Sequence, residues 1–193
     1  RQPLGGEWTR EQLKALAKTT RSVCFINDAD PIPAGQRWGA GIGFVLKNGR
    51  KALEMGFTVS VRELANGEGN TKQDPGSYFT DHSMMDTLEE EEFVSWAAKK
   101  LWDKNENINQ KSDTIRRIAE LASFITDETR TDMIIDELSK LRKGKEFWRS
   151  NINRAKWARI DAQKKTTQEV DLRRYGFTED RGCYYGLTDQ GEV

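Results

Sequence analysis

Val23-Cys-Phe-Ile-Asn-Asp28-Ala-Asp30-Pro-Ile-Pro-Ala-Gly35 is the stretch from which the rest of the chain can be read. Its apolar, partly β-branched part, Ser22 to Ile26, is bounded by Asn27-Asp28, as expected for a buried strand of an α/β sheet. Two aspartates one residue apart at the carboxyl end of that strand put both carboxylates at the rim where open α/β sheets bind ligands. Two hard anions suit a hard cation. Magnesium prefers oxygen ligands and is usually held by one or two carboxylates together with substrate phosphates. Taken by itself the pair also reads as a turn, because Asp is a common turn former after a strand.

Working outward, Thr9-Arg-Glu-Gln12 after Gly5-Gly6 predicts a capping box, followed by a helix with Leu13, Leu16 and Ala17 on its apolar face and an end near Thr20. Downstream, Trp38, Ile42, Val45, Leu46 and Leu53 predict a helix from about Gly35 to Met55, closed by Gly56. Gly39, Gly41, Gly43 and Gly49 oppose it by about 1 kcal/mol each relative to Ala. Phe57 to Leu64 alternates with period two and predicts a second strand, leading to a Gly- and Asn-rich loop from Asn66 to Asn70. Helix, strand, helix, strand implies a parallel sheet. After Thr87 the pattern is helical throughout. Phe93, Trp96, Ala97 and Leu101 form one apolar stripe, Ile115 to Ile125 a second, and Ile134, Leu138 and Leu141 a third. Glu89 to Glu92 reads as the acidic first turn of a helix and not as a metal site, since adjacent helical carboxylates point to different faces. A fourth helix is expected from about Lys145 to Lys165. Arg174 to Val193 reads as a hairpin, or as the beginning of something longer.

Composition bounds the function. The chain has 193 residues, with 31 basic and 31 acidic side chains and hence no net charge, so any nucleic-acid surface must be local. A mean hydropathy of −0.80 marks a very polar chain, but six Trp and eight Phe argue for a folded one. The apolar runs are too short to cross a bilayer and the first twenty residues lack a signal-peptide core, so a cytoplasmic protein with no membrane partner is expected. Cys24 and Cys183 have neither CxxC spacing nor His neighbours and read as reduced packing residues. The single histidine, His82, leaves one possible partner for a Ser or Cys nucleophile, so carboxylates are expected to carry any enzymatic work. Charge is unevenly distributed. Asp86 to Glu137 holds fourteen acidic residues against seven basic, and Lys140 to Lys165 ten basic against two acidic. The basic stretch also carries Phe147, Trp148 and Trp157, a mixture that suits single-stranded nucleic acid, although a solvated helix with aromatic residues in the core gives the same pattern.

A DxD after a strand also occurs in haloacid-dehalogenase phosphatases and in nucleotide-sugar glycosyltransferases. The first are disfavoured because Pro31-Ile32 follows the second Asp where they have Gly and a hydroxyl or branched residue. The order of the surrounding elements points elsewhere. Leu4-Gly-Gly-Glu-Trp-Thr-Arg-Glu-Gln-Leu13-Lys-Ala-Leu16 resembles the run that precedes the DxD strand in primases with a Toprim fold. Asp28-Ala-Asp30-Pro-Ile-Pro-Ala-Gly35 is similar to their DxDxxG element, with a longer spacing before the Gly. Gly56-Phe-Thr-Val-Ser-Val61 resembles the strand that follows. Lys72-Gln-Asp74-Pro75-Gly-Ser-Tyr78-Phe79 is similar to their KDP signature, with Gln73 inserted. The resemblance covers about residues 4 to 80 and extends loosely into the helices, where Arg130 matches an Arg that opens a late helix. Arg174 to Tyr185 resembles the linker strands of primase-helicases, and reads equally as the start of a winged-helix ending.

The resemblance implies a partial Toprim-like parallel sheet flanked by helices over residues 1–86, an all-α subdomain over 87–165, and a hairpin or the start of a further domain over 166–193. It implies Mg²⁺- or Mn²⁺-dependent phosphoryl transfer, with Asp28 and Asp30 as catalytic metal ligands and Asp74 as a third. Arg37, Lys47, Lys51 and Lys72 are the candidate phosphate contacts, and Arg154, Lys156 and Arg159 the candidate nucleic-acid contacts; for all but Lys72, a solvated surface charge is the plainer reading. The partners implied are a single-stranded DNA template, ribonucleotides and a helicase domain or protein. The Toprim fold opens with a strand ending in a catalytic Glu, and Glu7 is not in its place. The expectation is therefore a fragment of a DNA primase that is inactive alone. A DxD glycosyltransferase, a Toprim nuclease and a non-enzymatic nucleic-acid-binding module are the rival readings.

Overall fold

The structure, a computed structural model, describes residues 6–27, 29–64, 72, 75–79, 86–103, 105–141, 144–174, 177–180, 183–188 and 191–192. It is a mixed α/β chain, mostly helical. Helix α1 (Arg10–Leu16) begins at the expected capping box: the Thr9 hydroxyl accepts from the Gln12 amide at 3.2 Å, and the Gln12 side chain accepts from the Thr9 amide at 2.9 Å. Strand β1 (Ser22–Asn27), helix α2 (Ala40–Glu54) and strand β2 (Thr58–Glu63) form a β-α-β unit, with β1 and β2 parallel and in register from Ser22↔Thr58 to Asn27↔Glu63. The chain leaves α2 through a left-handed Gly56 at φ +77°. There the Phe57 amide donates to the Ala52 carbonyl and the Gly56 amide to that of Leu53, the Schellman arrangement that only glycine adopts without strain.

Three expectations need correction here. The sheet is not wholly parallel: β3 (Glu90–Glu92) pairs antiparallel with β2 on the side away from β1, with Arg62 opposite Glu90. A strand made of three glutamates shows no apolar alternation. It is held by charge, the Arg62 guanidinium reaching Glu90 at 2.9 Å and Asp86 at 2.9 Å. The acidic run is accordingly an edge strand, and only Glu92 belongs to the helix start, as the cap of α4 (Phe93–Leu101). Cys24, expected to pack, is a free and exposed thiol, because period-two alternation turns Phe25 into the core and Cys24 the other way.

A short helix, α3 (Pro75–Tyr78), lies between β2 and β3, and α4 is followed by α5 (Ile108–Ser123), α6 (Glu128–Leu141) and α7 (Lys145–Arg174). α7 continues past the expected end at Lys165. Strands β4 (Phe177–Asp180), β5 (Cys183–Thr188) and β6 (Gly191–Glu192) form an antiparallel meander. One cluster of buried side chains runs from Leu13 through Phe25, Val45, Val59 and Phe93 to Ile118, Leu138, Trp148 and Ile152, so the sheet and the helices after Thr87 share a core. Among the described residues no helix is long and apolar enough to cross a membrane.

Candidate functional site

The carboxyl ends of β1 and β2 lie side by side, because the strands are parallel and in register, and the described half of the DxD sits there. Helix α2 starts five residues later than the pattern suggested, at Ala40 and not Gly35, since Pro31 to Trp38 forms a loop turned at Gly35, φ +76°. Its N-cap, Gly39, has no side chain to offer. Asp30 reaches across the loop instead, and its Oδ2 accepts the Gly41 amide at 2.9 Å. A negative group on the first turn of a helix satisfies an otherwise unpaired N–H and meets the positive end of the helix dipole. The approach is tight: a Cβ on Gly39 would lie 2.7 Å from the Asp30 carbonyl oxygen and 2.8 Å from its Cβ. Glycine at position 39 is thus a condition for the placement of Asp30.

The other carboxylate oxygen, Oδ1, stands 3.3 Å from Nζ of Lys72, which comes from the segment after β2. Asp30 and Lys72, 42 residues apart in sequence, therefore meet at one edge. Asp28 and Asp74, the other two expected metal ligands, lie outside the described residues, as does His82. Among the described residues, no group of three or more carboxylate, imidazole or thiol side chains is arranged to hold a metal ion.

The remaining expected phosphate contacts are engaged elsewhere. Arg37 binds Glu106 at 3.0 Å, lies over the Trp38 ring, and so ties the loop after Asp30 to the start of α5. Lys47 and Lys51 both pair with Glu7, and Lys51 also donates to the Trp8 carbonyl at 2.9 Å. Hydrogen bonds from the two lysines pull the Glu7 carboxyl below its usual range. Between them the buried Asn48 accepts the Trp8 amide at 2.7 Å, so this face of α2 anchors the segment before α1.

On α7, Arg159 donates to the Ser123 carbonyl at 2.9 Å and lies 4.9 Å above the Phe124 ring, joining α7 to the end of α5. Arg154 lines a cleft between the same helices, and Lys156, half-buried one turn before Ile160, is not among that cleft's lining. Sequence reasoning missed Gly39 and Gly41, whose spacing from Asp30 was the available signal, and Glu92, which caps α4 and pairs with Arg130 at 3.4 Å. Compared with protein-family models and with curated protein sequences, the chain matches none.

Proposed function

We propose that this chain belongs to a Toprim-type DNA primase, and that Asp28, Asp30 and Asp74 hold Mg²⁺ or Mn²⁺ for the synthesis of RNA primers on single-stranded DNA. The observation that carries the reading is the meeting of Asp30 and Lys72 at the carboxyl rim of two parallel strands, beside the amino end of α2. Ligands of open α/β sheets bind at that rim. The donor chemistry suits the metal, since carboxylate oxygens are the ligands magnesium prefers. When bound, the metal neutralises charge on the transferring phosphoryl group and its leaving group.

The chain's own groups have separable roles. The Gly41 amide fixes one oxygen of Asp30 and thereby the direction of the other. Lys72, with a side chain more than half exposed, can hold that oxygen or turn to a substrate phosphate without unpacking any core residue. The ribonucleotide, the template strand and a helicase partner enter on the strength of the resemblance.

The test is thermal melting with and without Mg²⁺ or Mn²⁺ in the wild type and in Asp28→Asn/Asp30→Asn. Preferential binding to the native state raises the melting temperature. The wild type is expected to gain stability and the double variant to lose that gain; an equal shift in both would remove the metal from the site. A shift seen only with Mn²⁺ and a nucleotide sugar together would move the reading to a glycosyltransferase.

A further inference from the structure

Two clefts, of about 730 and about 590 Å³, run along α5 and α7 and share Arg116, Ala155 and Ala158, so they form one groove. Its charged lining is strongly one-sided in a chain with no net charge. Arg10, Lys51, Lys111, Arg116, Arg154 and Arg159 border it against two carboxylates, Glu54 and Glu120. Both of those carboxylates are already bound by Arg50, at 2.9 and 2.5 Å, while on the basic side Lys51 is paired with Glu7 and Arg116 with Asp113 at 2.9 Å. No carboxylate pairs with Arg10 or Arg154 among the described residues. The floor between the basic walls is apolar, formed by Ala155 and Ala158 with Phe147 in one cleft and Phe124 in the other.

We infer that this groove binds single-stranded nucleic acid, with phosphates on its arginines and bases against its two phenylalanines. A basic channel floored by aromatic rings is how single strands are held without regard to sequence, because every base offers a flat face. An acidic peptide would satisfy the charge but has no need of aromatic surface at both ends. The course of the groove also fits. Arg37–Glu106 ties the loop that follows Asp30 to the segment just before α5, whose first turn supplies Ile108 and Lys111 to the groove.

This deepens the primase reading by naming the surface for the template strand. The experiment is fluorescence anisotropy of a labelled oligothymidylate about twenty nucleotides long, over a salt series and without divalent metal. Arg116→Glu/Arg154→Glu is expected to weaken binding about tenfold or more and to reduce the slope of log K against log salt by about 1.4, two phosphate contacts at about 0.7 each. Arg10→Glu, on the opposite wall, should weaken it severalfold. Lys14→Glu/Lys18→Glu, which reverses the same amount of charge at exposed positions in and just after α1 that do not line the groove, should bind as the wild type does. Equal weakening by the groove and α1 variants would overturn the proposal, as would absence of binding by the wild type or binding of poly-glutamate as tight as that of the oligonucleotide. Because no metal is present, loss of the metal response at Asp30 with intact strand binding would remove the primase and leave the groove, and the converse would do the opposite.

Discussion

Asp30 and Glu92 perform the same local task at two helix starts and differ in the cation each one faces. Asp30 accepts one amide of α2 and stands 3.3 Å from Lys72, whose side chain is 55% exposed. Glu92 accepts two amides of α4, at 2.7 and 3.0 Å, and faces Arg130, which is 30% exposed and also donates to the Thr58 hydroxyl at 3.2 Å. Burial pushes the Glu92 carboxyl above its usual range, against the two amides and the arginine that favour the charged form. A carboxylate whose cation is held from two sides joins β2, α4 and α6 and is committed to the fold. A carboxylate whose cation is carried by a side chain more than half exposed has a partner that solvent also reaches.

The largest effect expected from breaking this contrast is that of Glu92→Ala. It strands two first-turn amides and leaves Arg130 without its counter-charge, a loss of about 2–3 kcal/mol measurable by urea unfolding. Next comes pH. Because the folded-state value of Glu92 is raised, the native protein keeps this proton after the unfolded chain has released it. The associated stability is present below the ordinary value of 4.5 and is lost as pH climbs through the raised one. The difference in unfolding free energy between wild type and Glu92→Gln should therefore change across that window; a difference constant between about pH 4 and pH 7 would mean that Glu92 titrates as an ordinary carboxylate. The smallest effect belongs to Asp30→Ala, about 1 kcal/mol, since it removes one cap and an ion pair with an exposed lysine. If Asp30→Ala cost as much as Glu92→Ala, the distinction between a committed carboxylate and one whose partner solvent reaches would collapse.

How far the sequence could be read follows from where the information is local. The α1 capping box, β1, the alternating β2 and the Gly56 terminus are short-range patterns, and each stands where its residues predicted it. β3 was illegible because its stability comes from Arg62 across the sheet and not from its own three glutamates. Gly49 looked like a defect in α2. It is a packing requirement, since a Cβ there would come within 2.3 Å of the Phe93 ring carried by α4, a neighbour that only the fold reveals. At the candidate site, the delivery of Asp30 to the end of a strand was legible, and its partnership with Gly41 and Lys72 was not, because both partners arrive through loops. Lys47 and Lys51 misled for the opposite reason: helical spacing gave their position on α2, but nothing local revealed that Glu7 lies across from them.

Helix α7 sets a geometry for whatever follows it. Its thirty residues extend for about 45 Å; among its described side chains the buried ones, Trp148 and Ile152, fall in the first third, Arg159 still reaches the Ser123 carbonyl at the end of α5, and the helix leads on to the β4–β6 meander. A helix of this kind acts as a gear as well as a spacer. Adding one residue beyond Gln163 would swing the meander by about 100° around the helix axis, whereas adding a whole turn would restore its heading about 5 Å farther out.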